Sequence, residues 1–138
     1  MPRSPLPPEI EEFLRQPNPA VIASLRADGS PHSVVTWYIW DGQRILLSMD
    51  EGRVRLRHLR TDPRVSLTVV DGDRWDRHAT LSGNVTTIDE DDDLRDIDRL
   101  AHHYTGQPYN TRDRRRFSAR VEIEAWHAWD GAHPWQPA

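Results

Sequence analysis

Short runs of alternating apolar and polar residues, separated by turn dipeptides, constrain the fold of this chain more than any other feature of its sequence. Ala20–Arg26 and His32–Trp40 are two such runs, and Asp41-Gly42 joins the second to a third, Gln43–Ser48. Asp-Gly between two runs of this kind is a strong signal for a β-hairpin. The pattern therefore predicts a three-stranded antiparallel meander over residues 20–48.

The rest of the chain continues the pattern and adds three short helices. The predicted strands are Val65–Val69, Arg77–Ile88 and Phe117–Trp126, and the predicted helices are Glu9–Arg15, Glu51–Thr61 and a segment that opens with the acidic run Asp89–Asp93. Acidic residues complement the dipole at a helix start, and a divalent-cation site is the alternative for this run. About six strands with hairpin-type links favour a mainly β fold, a small closed antiparallel barrel, in a single domain over residues 1–138.

Composition excludes several classes of chemistry. The 138 residues include no cysteine and no lysine, so all 18 basic residues are arginine. These absences exclude thiol nucleophiles, iron–sulfur clusters and Schiff-base lysines. The seven histidines lack metal-ligand spacing, so no metal site is expected. A formal net charge of −4 argues against nucleic-acid binding, and no apolar run is long enough to span a membrane, so a cytoplasmic location is expected.

Arginines mark the helix that is predicted after the meander. Arg53, Arg55, Arg57 and Arg60 lie within it, and the first two lie at its start. A helix N-terminus presents unpaired N–H groups to an anion, and guanidinium groups at the same end reinforce this preference. The arrangement predicts a phosphate-binding site, with Arg53 and Arg55 exposed, and a solvated helix face is the alternative.

Tryptophans are the second candidate feature. On a strand, Trp37 and Ile39 face one side while Tyr38 and Trp40 face the other, so both sides are expected to be covered. One side is expected to join the barrel core, and the other to meet a ligand or a partner subunit. Trp75 lies in a predicted loop, where it is a candidate either for stacking on a flat ring or for a packing lid.

Taken together, these segments resemble the pyridoxamine 5′-phosphate oxidase-like split β-barrel family, and within it the actinobacterial branch that uses the deazaflavin coenzyme F420. The resemblance rests above all on GRVRLRHLRTDPRV at 52–65, with support from the DGSPH turn at 28–32 and the WYIWDG hairpin at 37–42. It implies a six-stranded, FMN-binding split-barrel-like fold. It also implies a homodimer whose two cofactor grooves lie between the protomers.

The resemblance implies one group of residues along the ring and side chain of the cofactor. Backbone groups of Val34, Val35 and Thr36 are expected to hold the pyrimidine edge of the ring. Leu47 and Ser48, at the end of the following strand, are expected to lie along the cofactor's side chain.

A second group is implied at the phosphate. Arg53 and Arg55 are expected to bind it, with His58 and Arg57 nearby. Trp75 is expected to close over the site, from the same or the other subunit. No catalytic residue is assigned.

The activity that the resemblance implies is hydride transfer from reduced F420 to a conjugated organic acceptor, a small-molecule substrate. A deazaflavin performs the hydride chemistry itself, which fits a chain without a nucleophile, a metal or an obvious general base. His78 and Tyr104 are considered as proton sources. One alternative is an FMN-binding oxidoreductase of the same fold, although the family's flavin oxidases have arginine and lysine about where His32 and Trp37 stand. The other alternative is a carrier of F420, flavin or haem without turnover.

Overall fold

Within residues 5–135, which the computed structural model describes, eight antiparallel strands form one sheet and three helices pack on it. The strands are β1 (Ala20–Leu25), β2 (Pro31–Thr36), β3 (Ile39–Trp40), β4 (Ile45–Asp50), β5 (Arg64–Val70), β6 (Arg77–Glu90), β7 (Arg116–Asp130) and β8 (His133–Pro134). The helices are α1 (Pro8–Arg15), α2 (Val54–Thr61) and α3 (Arg95–Thr105). None of these helices combines the length and the apolar composition that a membrane crossing needs.

The strands lie in the order β2-β1-β5-β6-β7-β4-β3, with β8 beside β7. The predicted mainly β, antiparallel fold class is therefore confirmed. In the described part of the chain there are eight strands rather than about six. One predicted strand is divided in two, and the tail adds the short β8 in a segment that lacks alternation.

The division of the predicted strand His32–Trp40 shapes the whole sheet. β2 ends on one edge of the sheet and β3 begins on the opposite edge, so the segment between them crosses from one side of the barrel to the other. Tyr38 anchors this crossing, because its side chain is fully buried and its hydroxyl donates to the carbonyl of Leu14 at 2.8 Å. The predicted three-stranded meander is wrong. β1 pairs with β2 and β3 pairs with β4, but β2 and β4 are not neighbours in the sheet.

Two apolar clusters cover the two faces of the crossing segment, as the alternation predicted. Tyr38 and Trp40 join the main core, which the sheet encloses together with α1. Trp37 and Ile39 pack instead against a smaller cluster, in which α3 covers β4. The crossing is thus packed on both sides, and its second face contributes to the cavity described below.

Helix α3 begins at Arg95, after the acidic run rather than inside it. The first two acidic residues end β6, and the buried carboxylate of Asp91 accepts the backbone N–H groups of Asp96, at 3.2 Å, and Ile97, at 3.0 Å. The prediction that the helix opens with the acidic run is wrong, because Asp89 and Glu90 belong to β6 and Asp91 caps the helix start. The carboxylate satisfies N–H groups that have no partner within the helix.

Gly83 interrupts the long β6–β7 pairing, as expected for a bulge. The pairing register shifts between Ser82 and Gly83, and a Cβ atom at Gly83 would collide with the carbonyl oxygen of Glu122. The two backbones therefore approach each other more closely here than any side chain permits.

We expect Gly83→Ala to lower the free energy of unfolding by about 1–3 kcal/mol, because rigid backbone must move to admit the methyl group. Gly72→Ala is the matched control, since its Cβ would meet only ordinary contacts at 3.7 and 3.9 Å. Denaturant unfolding of both variants measures the difference. Equal stability of the two variants would contradict the close approach.

Candidate functional site

A cavity of about 240 Å³ lies where β2, β4, α2, α3 and the start of β7 meet. Its lining combines a strand edge, cations and aromatic or apolar side chains. The lining residues are Val34, Val35, Thr36, Trp37, Ser48, Arg53, Arg55, Ile97, Leu100, Tyr109 and Arg116. The crossing at Tyr38 brings these elements together, because it carries the chain from β2 to the side of the barrel where β4 lies.

Arg55 is the most unusual cation of this cavity. Its side chain is buried, with 8 % of the residue exposed, although both arginines at the start of α2 were expected to be exposed. Its Nη2 donates to the carbonyl of Ser48 at 3.2 Å, while its Nε has no hydrogen-bond partner. Burial lowers the pKa of Arg55 to about 10, with further lowering by Arg53 and Arg116. The group still carries its charge near neutral pH and has an unused donor.

Arg116 brings a second buried guanidinium to Ser48, from the start of β7. It is 6 % exposed, its Nε donates to Ser48 Oγ at 3.1 Å, and its guanidinium carbon lies 4.7 Å from the centre of the Tyr109 ring. Among the residues that the structure describes, no carboxylate forms an ion pair with Arg55 or Arg116. A buried charge without a partner is costly, so this end of the cavity is suited to an anion.

An aromatic and apolar wall lies beside these cations. Trp37 stacks on Tyr104 with ring centres 5.3 Å apart and an angle of 8° between the planes. The Tyr109 ring meets Trp37 edge-on at 6.2 Å, and Ile97 and Leu100 of α3 complete the wall. A flat, partly polar ligand with an anionic arm matches this combination of surfaces.

Six of the ten cofactor residues implied by the resemblance line this cavity. They are Val34, Val35, Thr36, Ser48, Arg53 and Arg55. The strand edge and the start of the arginine helix, which lie apart in the sequence, are thus brought together. Arg53 stands at the N-cap of α2, which begins at Val54 rather than at Glu51.

Four implied residues do not line the cavity in this chain. Leu47 points into the main core, as strand alternation requires for a neighbour of Ser48. Arg57 is exposed on another face of α2. Trp75 is 83 % exposed in the loop before β6, so a contact with the cofactor of a partner subunit stays a prediction.

His58 is also turned away, and it packs against β1 and β2. Its Nδ1 lies 3.1 Å from Ser24 Oγ, and its ring meets that of His32 edge-on at 5.3 Å. Burial, with His32, Arg26 and Arg57 as further causes, lowers the pKa of His58 below 6.5. His58 therefore does not line the cavity with Arg53 and Arg55, and its expected place near the phosphate stays a prediction.

The two residues considered as proton sources do not reach the cavity. The hydroxyl of Tyr104 donates to the carbonyl of Asn18 at 2.7 Å, and burial raises the pKa of Tyr104 to about 12. His78 lies on β6, opposite Val70 and Trp129, and does not line the cavity. Within residues 5–135, no three histidine, aspartate or glutamate side chains form a metal-ligand set.

Four lining residues were not predicted from the sequence, namely Ile97, Leu100, Tyr109 and Arg116. Trp37 lies on the side of its segment that was expected to meet a ligand or a partner. For Arg116 a signal existed, because the alternation of the last strand extends back to it and places it on the side of Ser118 and Arg120. The other three become neighbours only through the packing of α3 and the connector after it.

Comparison with known proteins gives the family. The family described as pyridoxamine 5′-phosphate oxidase matches residues 6–130. The chain belongs to the pyridoxamine 5′-phosphate oxidase family. No curated protein matches it.

Solved structures share the split-barrel fold. One named F420 reductase is 25 % identical with a TM-score of 0.81, over 88 % of this chain and 98 % of that one. The conserved hypothetical protein Rv2991 from Mycobacterium tuberculosis is 27 % identical with a TM-score of 0.74, over 99 % and 93 %. HupZ of Group A Streptococcus, 15 % identical with a TM-score of 0.66 over 94 % and 98 %, shows the fold alone. The predicted membership of the family and its split-barrel fold are confirmed.

The buried His58 makes stability depend on pH. Since its pKa is lowered in the folded protein, the unfolded chain binds the proton more readily, and stability is lost as the pH falls below 6.5. We expect the free energy of unfolding to decrease between about pH 7.5 and about pH 5.5. In His58→Asn, which keeps a polar group near Ser24 and does not titrate, we expect a smaller decrease.

Urea unfolding at the two pH values measures this difference. His133→Asn is the control, because His133 is exposed on β8. An unchanged pH dependence in His58→Asn would show that another group is responsible.

Proposed function

We propose that this protein is an F420-dependent oxidoreductase that transfers a hydride from the reduced deazaflavin coenzyme to a conjugated organic acceptor. The observation that carries the proposal is the buried Arg55, whose Nε has no hydrogen-bond partner. Its side chain lines the cavity described above together with Arg53. The similarity to a structure named F420 reductase supports the choice of coenzyme.

The residues of the cavity fit such a coenzyme. The edge formed by Val34–Thr36 can hold the polar edge of a deazaflavin ring, and Ser48 accepts hydrogen bonds from Arg55 and Arg116. Arg53 and Arg55 can hold the phosphate through charge-assisted hydrogen bonds. The cavity, at about 240 Å³, is small for a ligand that also carries a glutamate tail, so part of the coenzyme is expected to lie outside it.

The reduced coenzyme supplies the hydride when bound, so the protein's task is binding, orientation and exclusion of water. Trp37, Ile97 and Leu100 keep one side of the cavity apolar, while the strand edge and the arginines set the orientation of the ligand. Arginine holds its proton in proteins. We therefore assign the proton that completes the reduction to water at the cavity mouth, and no residue to its donation.

Two contacts favour F420 over FMN. The flavin oxidases of the family are expected to have cations about where His32 and Trp37 stand. In this chain His32 packs edge-on against His58 and Trp37 stacks on Tyr104, so both positions serve aromatic packing. Neither supplies a permanent cation to the ligand.

Replacing Arg55 tests the phosphate contact. We expect Arg55→Gln to weaken F420 binding by about 10- to 100-fold, because a hydrogen bond to a charged group contributes about 1.5–3 kcal/mol. Arg57→Gln is the matched control, since Arg57 lies exposed on the same helix and does not line the cavity. Fluorescence titration measures both affinities, and equal affinities would rule out Arg55 as an anchor.

A turnover assay tests the reaction itself. Reduced F420 is mixed with the protein and with quinones, biliverdin or unsaturated lactones, and the absorbance of the coenzyme is followed. Oxidation that depends on both protein and acceptor supports the reductase. Tight binding without oxidation favours a carrier, and a yellow purified protein with flavin fluorescence favours FMN.

We also propose that the working form is a homodimer. Two rows of side chains cross the outer face of β2, β1, β5 and β6 without a charge, although charged residues are 29 % of the chain. The rows are Val35–Val21–Thr68–Thr80 and Ser33–Ala23–Ser66–Ser82. An uncharged face on the outside of the sheet is suited to pairing with a second copy of the same face.

The cavity lies at the edge of this outer face. Val35 is 70 % exposed, belongs to the first row and also lines the cavity. A second copy seated on the rows would therefore border the open side of the cavity. The expected contact of Trp75 of one protomer with the coenzyme of the other is part of this proposal.

A charge placed on the face tests the dimer. We expect Ala23→Arg to give a monomer by light scattering and to weaken F420 binding, because two like charges would meet across a two-fold contact. Gln16→Arg is the matched control, since Gln16 is the exposed C-cap residue of α1 and belongs to neither row. A dimer that survives Ala23→Arg would place the interface elsewhere.

A further inference from the structure

We propose that Arg116 is a phosphate-binding residue, and that Arg55, Ser48 and Arg116 together form a subsite for the tetrahedral oxyanion of a phosphate ester. The inference rests on the proposed function, because it concerns the same cavity. It adds Arg116, the first residue of β7, which lies one residue before the predicted strand Phe117–Trp126.

The two arginines reach Ser48 from different elements. Arg55 comes from the first turn of α2 and donates to the Ser48 carbonyl, while Arg116 begins β7 and donates to the Ser48 hydroxyl. Because β4 and β7 are paired neighbours, the sheet sets the position of Arg116 relative to Ser48, while helix α2 sets that of Arg55. Each guanidinium is thus held in place before a ligand arrives, which lowers the entropy cost of binding.

The two buried guanidiniums at Ser48, those of Arg55 and Arg116, have no ion-pair partner among the carboxylates of the described residues. The carboxylate of Asp50 opposes the lowering of the Arg55 pKa, but its ion pairs are with other arginines. Asp50 is already engaged by Arg53 at 3.8 Å, by Arg114 at 3.5 Å and by the N–H of Gly52. Neutralisation of the two buried guanidiniums is therefore left to a ligand.

Arg116 ends a basic run, RDRRR at 112–116, and the other arginines of this run behave differently. Arg112 pairs with Asp98, Arg114 with Asp50 and Arg115 with Glu90, and all three are exposed. Arg116 is the buried member, and its guanidinium packs over the ring of Tyr109, which fixes its orientation. A run that looks like a solvated basic patch thus contains one cation that faces the cavity.

Inorganic phosphate is the probe for this subsite. Thermal unfolding is measured with increasing phosphate against chloride at constant ionic strength, for the wild type, Arg116→Gln and the remote control Arg15→Gln. We expect phosphate to stabilise the wild type and the control, and the apparent affinity to fall about tenfold or more in Arg116→Gln. Without phosphate, Arg116→Gln is expected to be at least as stable as the wild type, since it removes an unpaired buried charge.

Three results would overturn the proposal. They are a wild type that does not respond to phosphate, an equal response in Arg116→Gln, and an equal stabilisation by glutamate, which would point to the carboxylate tail instead. A marked loss of stability in Arg116→Gln without phosphate would indicate a structural role.

A measurement on the wild-type protein covers the case in which Arg116→Gln does not fold. The ¹⁵N–¹H signal of Arg116 Nε, assigned by its loss in Arg116→Lys, should shift on addition of phosphate. A signal that stays in place at saturating phosphate overturns the assignment. These measurements use phosphate and no coenzyme. They can therefore overturn the phosphate subsite even if the protein binds F420, or support it even if the protein does not bind F420.

Discussion

The hydroxyl of Tyr38 donates to the carbonyl of Leu14 at 2.8 Å, and this contact holds the segment that joins the two edges of the sheet. The Tyr38 side chain is fully buried, and its backbone N–H donates to the hydroxyl of Tyr104 at 3.4 Å. Residues of both α1 and α3 are thus hydrogen-bonded to the crossing segment. Because the chain passes here from β2 to β3, the edge of β2 comes to lie beside β4 and α2. The cavity exists because of this crossing.

The unpaired positive charge of the cavity determines which ligands it favours. A typical buried cation is paired, yet here two buried guanidiniums share the atoms of one serine and no carboxylate. Such an arrangement lowers the stability of the unliganded protein and raises its affinity for an anion, which is the expected compromise at a binding site. The acidic net charge of the chain does not conflict with this, because three arginines, Arg53, Arg55 and Arg116, line this one cavity.

The extent to which the site was predictable differs between its parts. The edge of β2 and the start of α2 were predicted, since the resemblance maps them residue by residue and the arginines mark the helix. Leu47 and His58 do not line the cavity, because Leu47 alternates with Ser48 into the core and His58 packs against Ser24 and His32. Their contact with a cofactor stays a prediction. Tyr109 and Arg116 were missed, because their role depends on contacts with β4 and α3 that lie far away along the chain.

The sequence by itself determined the mainly antiparallel β architecture, the short helices and the chemistry that is excluded, because alternation, turn dipeptides and missing residue types are local properties. Only the tertiary structure decided which arginines are buried without a partner and which are solvated. The pattern of residues 53–60 looks uniform along the chain, but burial depends on which element packs over each face. That packing follows from the crossing at Tyr38. Local propensity alone predicts one continuous strand there, because it does not register that the chain leaves one edge of the sheet for the other.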